Sequence, residues 1–525
     1  MAPIRPRPAV IYPLLFGFLA VFYALWVWGP ALGGFGGDNA IYLLSAQSIS
    51  AGGADTIARH YANTSPYPPL YPLLLSVVAG GHRVLAAHLV TVAALIGACA
   101  IFLLWLRAAG LGPGAASLYT LVLALAPGIE QQALQILSEP LYLLASLAAL
   151  WTATRAEQDN DARWTAWAGL AIAAAIMTRS AGIALWIAFV AWILLRRTRR
   201  ELWVAAAAMV PFALWTFLQR HHAGYLHDLL AVYHTHPLRT LRHQLGTEAR
   251  RLVRGWAQDI SGPLMQPPFP FVAGVLALLG LIGGLRRPMA LESLYLLVYL
   301  TIILVWPFPS EAARFLVVIA PVVIRLAASA LQGPKRLGQT GSIVLACALL
   351  VMVVPQWVFN VRRLAAPVPA GMGAFKHVSG WYHPDIHHAE LSLYSAAALT
   401  RSLQSLPRLV PAGQCILNIK PSITAFYSHR LSYAPPPGSA RQTAFWTILA
   451  GEHCRYALLV ADESPSFPKP MYPLGRFRRV FGDRLTILQQ TPLFSGPGAP
   501  LVSMLVKLPR WRLSASDARP RPGSP

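Results

Sequence analysis

Four ionisable residues stand at the ends of long apolar runs: Asp38, Glu139, Arg179 and Arg314. Their types suit group transfer. A carboxylate can take the proton of a hydroxyl as that hydroxyl attacks, and guanidiniums can stabilise charge developing on a departing phosphate. Each also has a plain structural reading. Asp38 lies in Gly36-Gly37-Asp38-Asn39 ahead of a largely apolar helix, where Asp is a favoured cap. Glu139 lies in Ser138-Glu139-Pro140, a good helix start with an acidic first turn. Arg179, in Thr178-Arg179-Ser180-Ala181-Gly182, could snorkel to an interface from a short span. An ionisable residue between two apolar, hairpin-like segments is nevertheless a functional candidate by default. Downstream of Asp38, Arg59 and His60 precede Tyr67-Pro68-Pro69-Leu70-Tyr71-Pro72, a stiff turn because proline fixes φ and excludes helix just before it. Arg59, His60, Tyr67 and Tyr71 are candidates to bind substrate beside that carboxylate.

The elements that position these residues read as membrane spans. Of 525 residues, 55% are hydrophobic and only 12% charged, and no soluble domain needs so many long uncharged segments. The net charge of +23 comes from 43 basic against 20 acidic residues. Much of it sits in short loops beside apolar runs, where it sets topology and meets anionic lipid, so nucleic-acid binding is a poor reading. Residues 9–28 follow two arginines and end in tryptophans without a small-residue cleavage site, as a retained first span does. Roughly eleven spans follow from the pattern, several shorter than ~20 residues. After the proline turn, which re-enters the bilayer, they are Val84–Leu106, Ala116–Gly128, Leu137–Thr154 and two within Trp164–Leu195. Then come Leu202–Leu218, Phe271–Leu285, Leu291–Pro307, Phe315–Leu331 and Ile343–Val358. Arg5, Arg7, Arg107, Arg155, Arg163, the Arg196–Arg200 cluster, Arg286, Arg287, Lys335 and Arg336 then share one side, the cytoplasmic one. Asp38, Glu139, Arg179 and Arg314 share the opposite face and can converge.

Two further regions lie on that outer face. Between 219 and 270, Leu238, Leu241, Leu245, Ala249, Leu252 and Trp256 make one apolar stripe, flanked by Arg239, His243, Arg250 and Arg254. This predicts an amphipathic helix along the membrane surface, with Gly246 as a possible break. Its arginines either face lipid or contact a phosphate-bearing substrate. His221, His222, His227, His234 and His236 precede it without a Cys or paired carboxylate at ligand spacing, so no metal site is assigned. Beyond residue 359 the texture changes. Gln414–Ile419, Tyr456–Val460, Phe477–Val480 and Leu485–Gln489 read as strands, with helices at Pro421–Ser428 and Arg441–Leu449. The alternation predicts a small α/β domain with a partly parallel sheet over 360–513, followed by a disordered tail, 514–525. Asp462, just past a strand, reads as a loop cap.

The acidic loop followed by Pro68-Pro69-Leu70-Tyr71-Pro72 resembles the first extracytoplasmic loop of the GT-C membrane glycosyltransferases. The pattern is most similar to the family-39 group, the lipid A aminoarabinose transferases and protein O-mannosyltransferases. The resemblance implies a polytopic α-helical membrane fold of residues 1–359 with the α/β domain held outside the cytoplasm. It implies that Glu139 matches the acidic residue of the second outer loop and that Arg179 lies near a donor phosphate. Arg314 matches an Arg-Tyr-Leu pattern ahead of a helix proline, here Pro321. The pattern departs at Tyr67, where aminoarabinose transferases usually have lysine, and at Asn39, where many relatives have a second acidic residue.

The chemistry expected is inverting sugar transfer from a polyprenyl-phosphate donor to a lipid, glycan or protein acceptor in a bacterial-type plasma membrane. Asp38 is the base, Arg179 and Arg314 meet the leaving phosphate, and Glu139 orients the acceptor or holds a cation. No organic cofactor is expected, and a divalent cation is left open. The chain shows no P-loop, HExxH, GxSxG or nucleotide fingerprint, and nucleotide sugars are scarce outside the cytoplasm. A transporter or flippase of a lipid-linked sugar is the alternative. It predicts hydropathy repeats and mid-span charges, and neither is clear.

Four cysteines occur. Cys99 and Cys347 fall in apolar spans and read as small buried hydrophobes. Cys415 and Cys454 fall in the outer domain, next to two strands. If those strands are parallel neighbours, the thiols can form a disulfide in an oxidising compartment; if they are not, both remain free.

Overall fold

The computed structural model describes residues 8–26, 32, 37–196, 198–219, 237–262, 269–305, 312–331, 335–434, 454–460, 485–494 and 499–508. The five loop histidines, Asp462, the Phe477–Val480 strand and the Arg441–Leu449 helix lie outside these residues. Two compact units form, one of residues 1–28, 63–78 and 85–366, the other of 29–62, 79–84 and 367–525. The last helix of the first unit runs to Ala365, so the change of texture falls after 366 rather than at 359. The first-loop residues 29–62, expected with the membrane part, group with the C-terminal residues.

The first unit is all helical. Its elements begin with α1 (Pro8–Trp26); α2 (Gly37–Ser50) and α3 (Thr56–Thr64) belong to the other unit. Then come α4 (Leu70–Ala79), α5 (Val84–Ala108), α6 (Pro113–Leu125), α7 (Pro127–Ala133), α8 (Glu139–Asp159), α9 (Ala162–Thr178), α10 (Ile183–Leu195) and α11 (Leu202–Leu218). They are followed by α12 (Pro237–Ser261), α13 (Phe269–Arg286), α14 (Leu291–Leu304), α15 (Ala312–Leu316), α16 (Ala320–Ala330) and α17 (Lys335–Ala365). Among the described residues two helices are long and apolar enough to cross a membrane, Val84–Ala108 and Gln339–Ala365, and shorter apolar helical stretches of 10–17 residues include Val10–Trp26, Leu202–Leu218 and Phe271–Arg286.

Two of the expected spans are broken, each at a proline. Ala126 is extended (φ −60°, ψ 129°) because Pro127 disfavours helix for the residue before it, so the expected span 116–128 becomes α6 and α7. The expected span 315–331 is likewise α15, a 3₁₀ turn at Val317–Ile319, and α16 with Pro321 in its first turn. Gly246, by contrast, does not break α12. A glycine costs only about 1 kcal/mol in a helix, and α12 packs against α13 and α15. Helix α13 lies so close to α16 that a Cβ on Gly283 would stand 2.0 Å from the Leu326 carbonyl oxygen. Small residues allow such approach between apolar helices.

The second unit is built on a five-stranded sheet of order β2-β1-β3-β5-β4: β1 (Cys415–Leu417), β2 (Ser432–Tyr433), β3 (Cys454–Val460), β4 (Thr486–Pro492) and β5 (Leu501–Lys507). β2, β1 and β3 are parallel, and β5 and β4 are antiparallel additions. The central strands β1, β3 and β5 are almost wholly buried, whereas edge strand β4 is mostly exposed. Cys415 and Cys454 are register partners with Cα atoms 4.6 Å apart and form a disulfide. Helix α18 (Ile386–Leu409), absent from the sequence expectation, lies against β4 and β5, with the Ser503 hydroxyl donating to Ser402 Oγ at 2.9 Å. Helix α19 (Pro421–Ser428) follows β1 as expected.

Candidate functional site

In the helical unit three of the four residues expected to share a face, Glu139, Arg179 and Arg314, converge. Glu139 is the first residue of α8, where its charge suits the positive end of the helix dipole. Arg179 ends α9 in extended conformation (φ −148°, ψ 137°), followed by the 3₁₀ turn Ser180–Gly182 and α10. This hairpin tip is tight: a Cβ on Gly182 would stand 2.7 Å from the Ile176 backbone. Arg314 lies in α15, on which α12 packs. Glu139 is 1% exposed. Its Oε1 accepts from Arg179 Nη1 at 2.8 Å and is also paired with Arg314 Nε. Arg179 Nη1 also donates to Ser138 Oγ at 3.3 Å, and its guanidinium lies 5.3 Å from the centroid of the Phe315 ring. One buried carboxylate thus fixes two guanidiniums, and the three formal charges sum to +1.

A wall of tyrosines adjoins this cluster. Tyr71 and Tyr299 lie within electrostatic reach of Glu139, and Tyr142 within reach of Arg179. Tyr71 shares a hydrogen bond with Thr91 Oγ1 (3.0 Å), Tyr142 with Tyr295 (2.9 Å), and Tyr299 donates to the Phe315 carbonyl (3.1 Å). Of these, only Tyr71 stood among the sequence candidates. Tyr142, Tyr295 and Tyr299 are ordinary in an apolar span, and nothing local marks them. Tyr67 precedes α4, its backbone N–H donating to Ser65 Oγ at 3.2 Å. Arg250 and Arg254 are exposed on α12, and Arg250 Nε donates to the Gly246 carbonyl one turn back at 3.1 Å.

In the other unit, Asp38 is partly buried in the first turn of α2, after Gly37 opens the helix. The Ser422 hydroxyl of α19 donates to the Gly37 carbonyl at 2.9 Å and so holds this start in place. Asp55 caps α3, with its Oδ1 accepting from the Ile57 and Ala58 N–H groups at 3.0 Å each. Arg59 is exposed on α3, and His60 lies edge-on to Tyr433 with centroids 5.8 Å apart. Tyr61 donates to the Ser432 carbonyl at 2.7 Å and ties α3 to the edge of the sheet.

Further buried carboxylates escaped the sequence reading, among them Glu130 and Asp259. Glu130, on α7 in the loop between spans, accepts from Asn360 Nδ2 at 2.8 Å, and Asn360 in turn accepts from Gln356 Nε2 at 2.8 Å. Burial pushes the Glu130 carboxyl up to about 8, opposed only by the Asn360 hydrogen bond. Asp259, on α12, is pushed well up by burial alone. At neutral pH the Glu130 carboxyl therefore favours its protonated form. Among the described residues no group of three or more metal-ligating side chains is assembled, and Glu139, a candidate to hold a cation, is held by two arginines instead.

No family model matches the chain, and no curated protein matches it in sequence. Solved structures do resemble it. ArnT from Cupriavidus metallidurans in the apo state superposes with a TM-score of 0.56 at 14% identity, over 98% of this chain and 100% of that one. The same protein bound to undecaprenyl phosphate gives 0.55 at 13% identity, over 97% and 99%. The archaeal oligosaccharyltransferase AglB from Archaeoglobus fulgidus, in complex with an inhibitory peptide and a dolichol-phosphate, gives 0.50 at 11% identity, over 86% and 69%. Likeness along nearly the whole of both chains gives this protein the GT-C fold of membrane glycosyltransferases.

Proposed function

We propose that the protein is an integral membrane glycosyltransferase that moves a hexose- or pentose-sized sugar from a polyprenyl-phosphate donor to an acceptor outside the cytoplasm. The observation that carries this reading is the pair of guanidiniums fixed on Glu139. Arg179 and Arg314 come from separate helix ends, are already desolvated on one side, and share one counter-ion. Such preorganised cations favour a group that gains negative charge as it leaves, and the phosphate of a lipid-linked sugar is one. The undecaprenyl phosphate held by the similarly folded ArnT supports the same donor chemistry here.

In the step proposed, Asp38 takes the proton of an acceptor hydroxyl while that oxygen forms a bond to the sugar's anomeric carbon from the face opposite the phosphate. The anomeric carbon–oxygen bond breaks, and its electron pair leaves on the polyprenyl phosphate opposite Arg179 and Arg314. Glu139 then acts as the residue that positions the two arginines rather than as a base. Arg59, His60, Tyr67, Tyr71, Arg250 and Arg254 are the remaining proposed contacts to donor or acceptor. The positive-inside pattern supports a cytoplasmic N-terminus and an outer α/β unit in a bacterial-type inner membrane.

The experiment is mass spectrometry of envelope lipids and glycans from cells with the gene, without it, and with Asp38→Asn. Asparagine is nearly isosteric and suits the same helix start. The expected result is loss of one sugar-sized unit in both the null and the Asp38→Asn cells, with the variant still inserted. Full modification by Asp38→Asn would remove Asp38 from the mechanism, and an unchanged envelope in the null would remove the proposed activity.

A further inference from the structure

The antiparallel pair α8–α9 encloses a cleft of about 460 Å³. Trp151 and Thr152 of α8 line it opposite Trp164, Trp167 and Leu170 of α9. It begins at Ala148, roughly 14 Å along α8 from Glu139 at 1.5 Å per residue, so it is separate from the site above. Trp151 and Trp164 meet edge to face with centroids 5.7 Å apart. Trp167 and Leu170 are 57% and 60% exposed, so the cleft opens outward from the helix pair. The Thr152 hydroxyl donates back to the Ala148 carbonyl at 2.7 Å.

In a bilayer, apolar walls alone select nothing, because lipid tails are as apolar as the walls. Selection has to come from the mouth. There the Arg155 guanidinium lies 5.5 Å from the Trp164 ring centroid, roofing the end of the cleft, and pairs with Asp159 Oδ2 at 3.0 Å. The chain turns at Asn160 in left-handed conformation (φ 49°), and Asp161 and Arg163 follow, both exposed. Glu157 is engaged elsewhere, by Trp192 Nε1 at 2.8 Å. The mouth therefore presents two guanidiniums and two carboxylates with no net charge. An anionic headgroup meets as much repulsion as attraction there. A headgroup with both a phosphate and a primary ammonium meets a partner for each charge, and only a primary ammonium has N–H donors for the carboxylates.

We propose that this cleft binds one acyl chain of an amine-bearing zwitterionic phospholipid, with its phosphate on Arg155 and Arg163 and its ammonium on Asp159 and Asp161. The proposal takes the α8–α9 pair to lie in a bilayer and is independent of which sugar, if any, the protein transfers.

The test uses the full chain in nanodiscs of phosphatidylcholine, into which dibromo-acyl phosphatidylethanolamine, phosphatidylglycerol or phosphatidylcholine is titrated. Bromine quenches tryptophan on contact. The signal of Trp164 and Trp167 is the difference from a Trp164→Phe/Trp167→Phe protein. The expected half-quenching fraction is about fivefold lower for the ethanolamine lipid than for the other two, the worth of about one net hydrogen bond. Asp159→Asn with Asp161→Asn, both exposed and with asparagine suited to keep the Asp161 cap on the Arg163 N–H, should raise it to the choline value. Equal midpoints for all three lipids would make the cleft an ordinary lipid-facing surface. A lower midpoint for the glycerol lipid, no effect of the Asn pair, or no quenching by any lipid would equally overturn the proposal.

Discussion

Glu139→Gln isolates what the central ion cluster does. The change keeps shape and removes one negative charge from between Arg179 and Arg314. With charge centres about 4 Å apart and an effective dielectric constant near 20, each lost attraction is worth about 4 kcal/mol gross. Much of that is offset by the cost of desolvating the carboxylate, which the neutral amide does not bear. Removing one partner of a buried pair costs about 3–5 kcal/mol net, because the remaining cations stay desolvated. The arginine side chains are 13% and 22% exposed, so water relieves them partly and the lower end of that range applies. If the helical unit unfolds with the usual entropy per residue, the melting temperature falls by roughly 4–5 °C. Activity should fall further than stability, by about 10²–10³-fold in kcat, as expected when preorganised phosphate-binding charge is misplaced. The assay is thermal unfolding in detergent together with transfer of sugar to acceptor in membranes at saturating donor. The pH dependence contributed by Asp38 should be unchanged, since Glu139 is given no role in proton transfer. A variant that melts like the parent and transfers at the parental rate would refute the idea that Glu139 holds the arginines for function.

Thiol labelling of the denatured, unreduced protein should find two reactive cysteines, Cys99 and Cys347, and reduction should reveal two more. Loss of the bridge by Cys454→Ser should destabilise the sheet unit by about 3–4 kcal/mol, read by denaturant unfolding. The Glu130 carboxyl rises from 4.5 unfolded to about 8 folded, so the folded state holds its proton more tightly. Its contribution is complete below pH 4.5 and is lost as pH rises through about 8, a swing of about 5 kcal/mol at most. Stability of the helical unit measured across that window should decline with pH, and Glu130→Gln should flatten the decline. A reporter fused after Pro525 should be active only outside the cytoplasm, and one within Arg196–Arg200 only inside it. The reverse pattern would mean that the span count is off by an odd number.

The individual ionisable residues were legible because charge is rare and costly in an apolar sequence. Ser138-Glu139-Pro140, the tip at Thr178–Gly182 and Arg314 ahead of Pro321 each announce a helix end by local chemistry. Their convergence on one carboxylate was not legible, since helix packing leaves no mark at any one position. The disulfide could be read only as a condition on strand order, and the parallel pairing of β1 with β3 supplied the condition. Helix α18 escaped because its apolar stripe is interleaved with Ser392, Ser395, Ser402 and Ser405, of which Ser402 and Ser405 meet the sheet through hydrogen bonds with Ser503 and Gln489. Strand β5 escaped because Leu501–Lys507 is a short apolar run after a Gly/Pro-rich stretch, much like a helix start. The break at Ala126 was available from Pro127 alone and was overridden by the apparent continuity of the run.

The placement of α2 and α3 has a consequence for how the chain is made. Tyr61 hydrogen-bonds a residue 371 positions later, and Leu44, Ala58 and Tyr61 share their small core with Ala425. At about 5–20 residues per second of synthesis, that partner arrives roughly 20–75 seconds after Tyr61 has left the ribosome. Throughout that interval α2 and α3 lack the α19 and β2 surfaces on which they finally pack. The segment proposed to supply the base is therefore among the first made and the last to be fixed. Its amides should be protected from hydrogen exchange only once synthesis has passed β2.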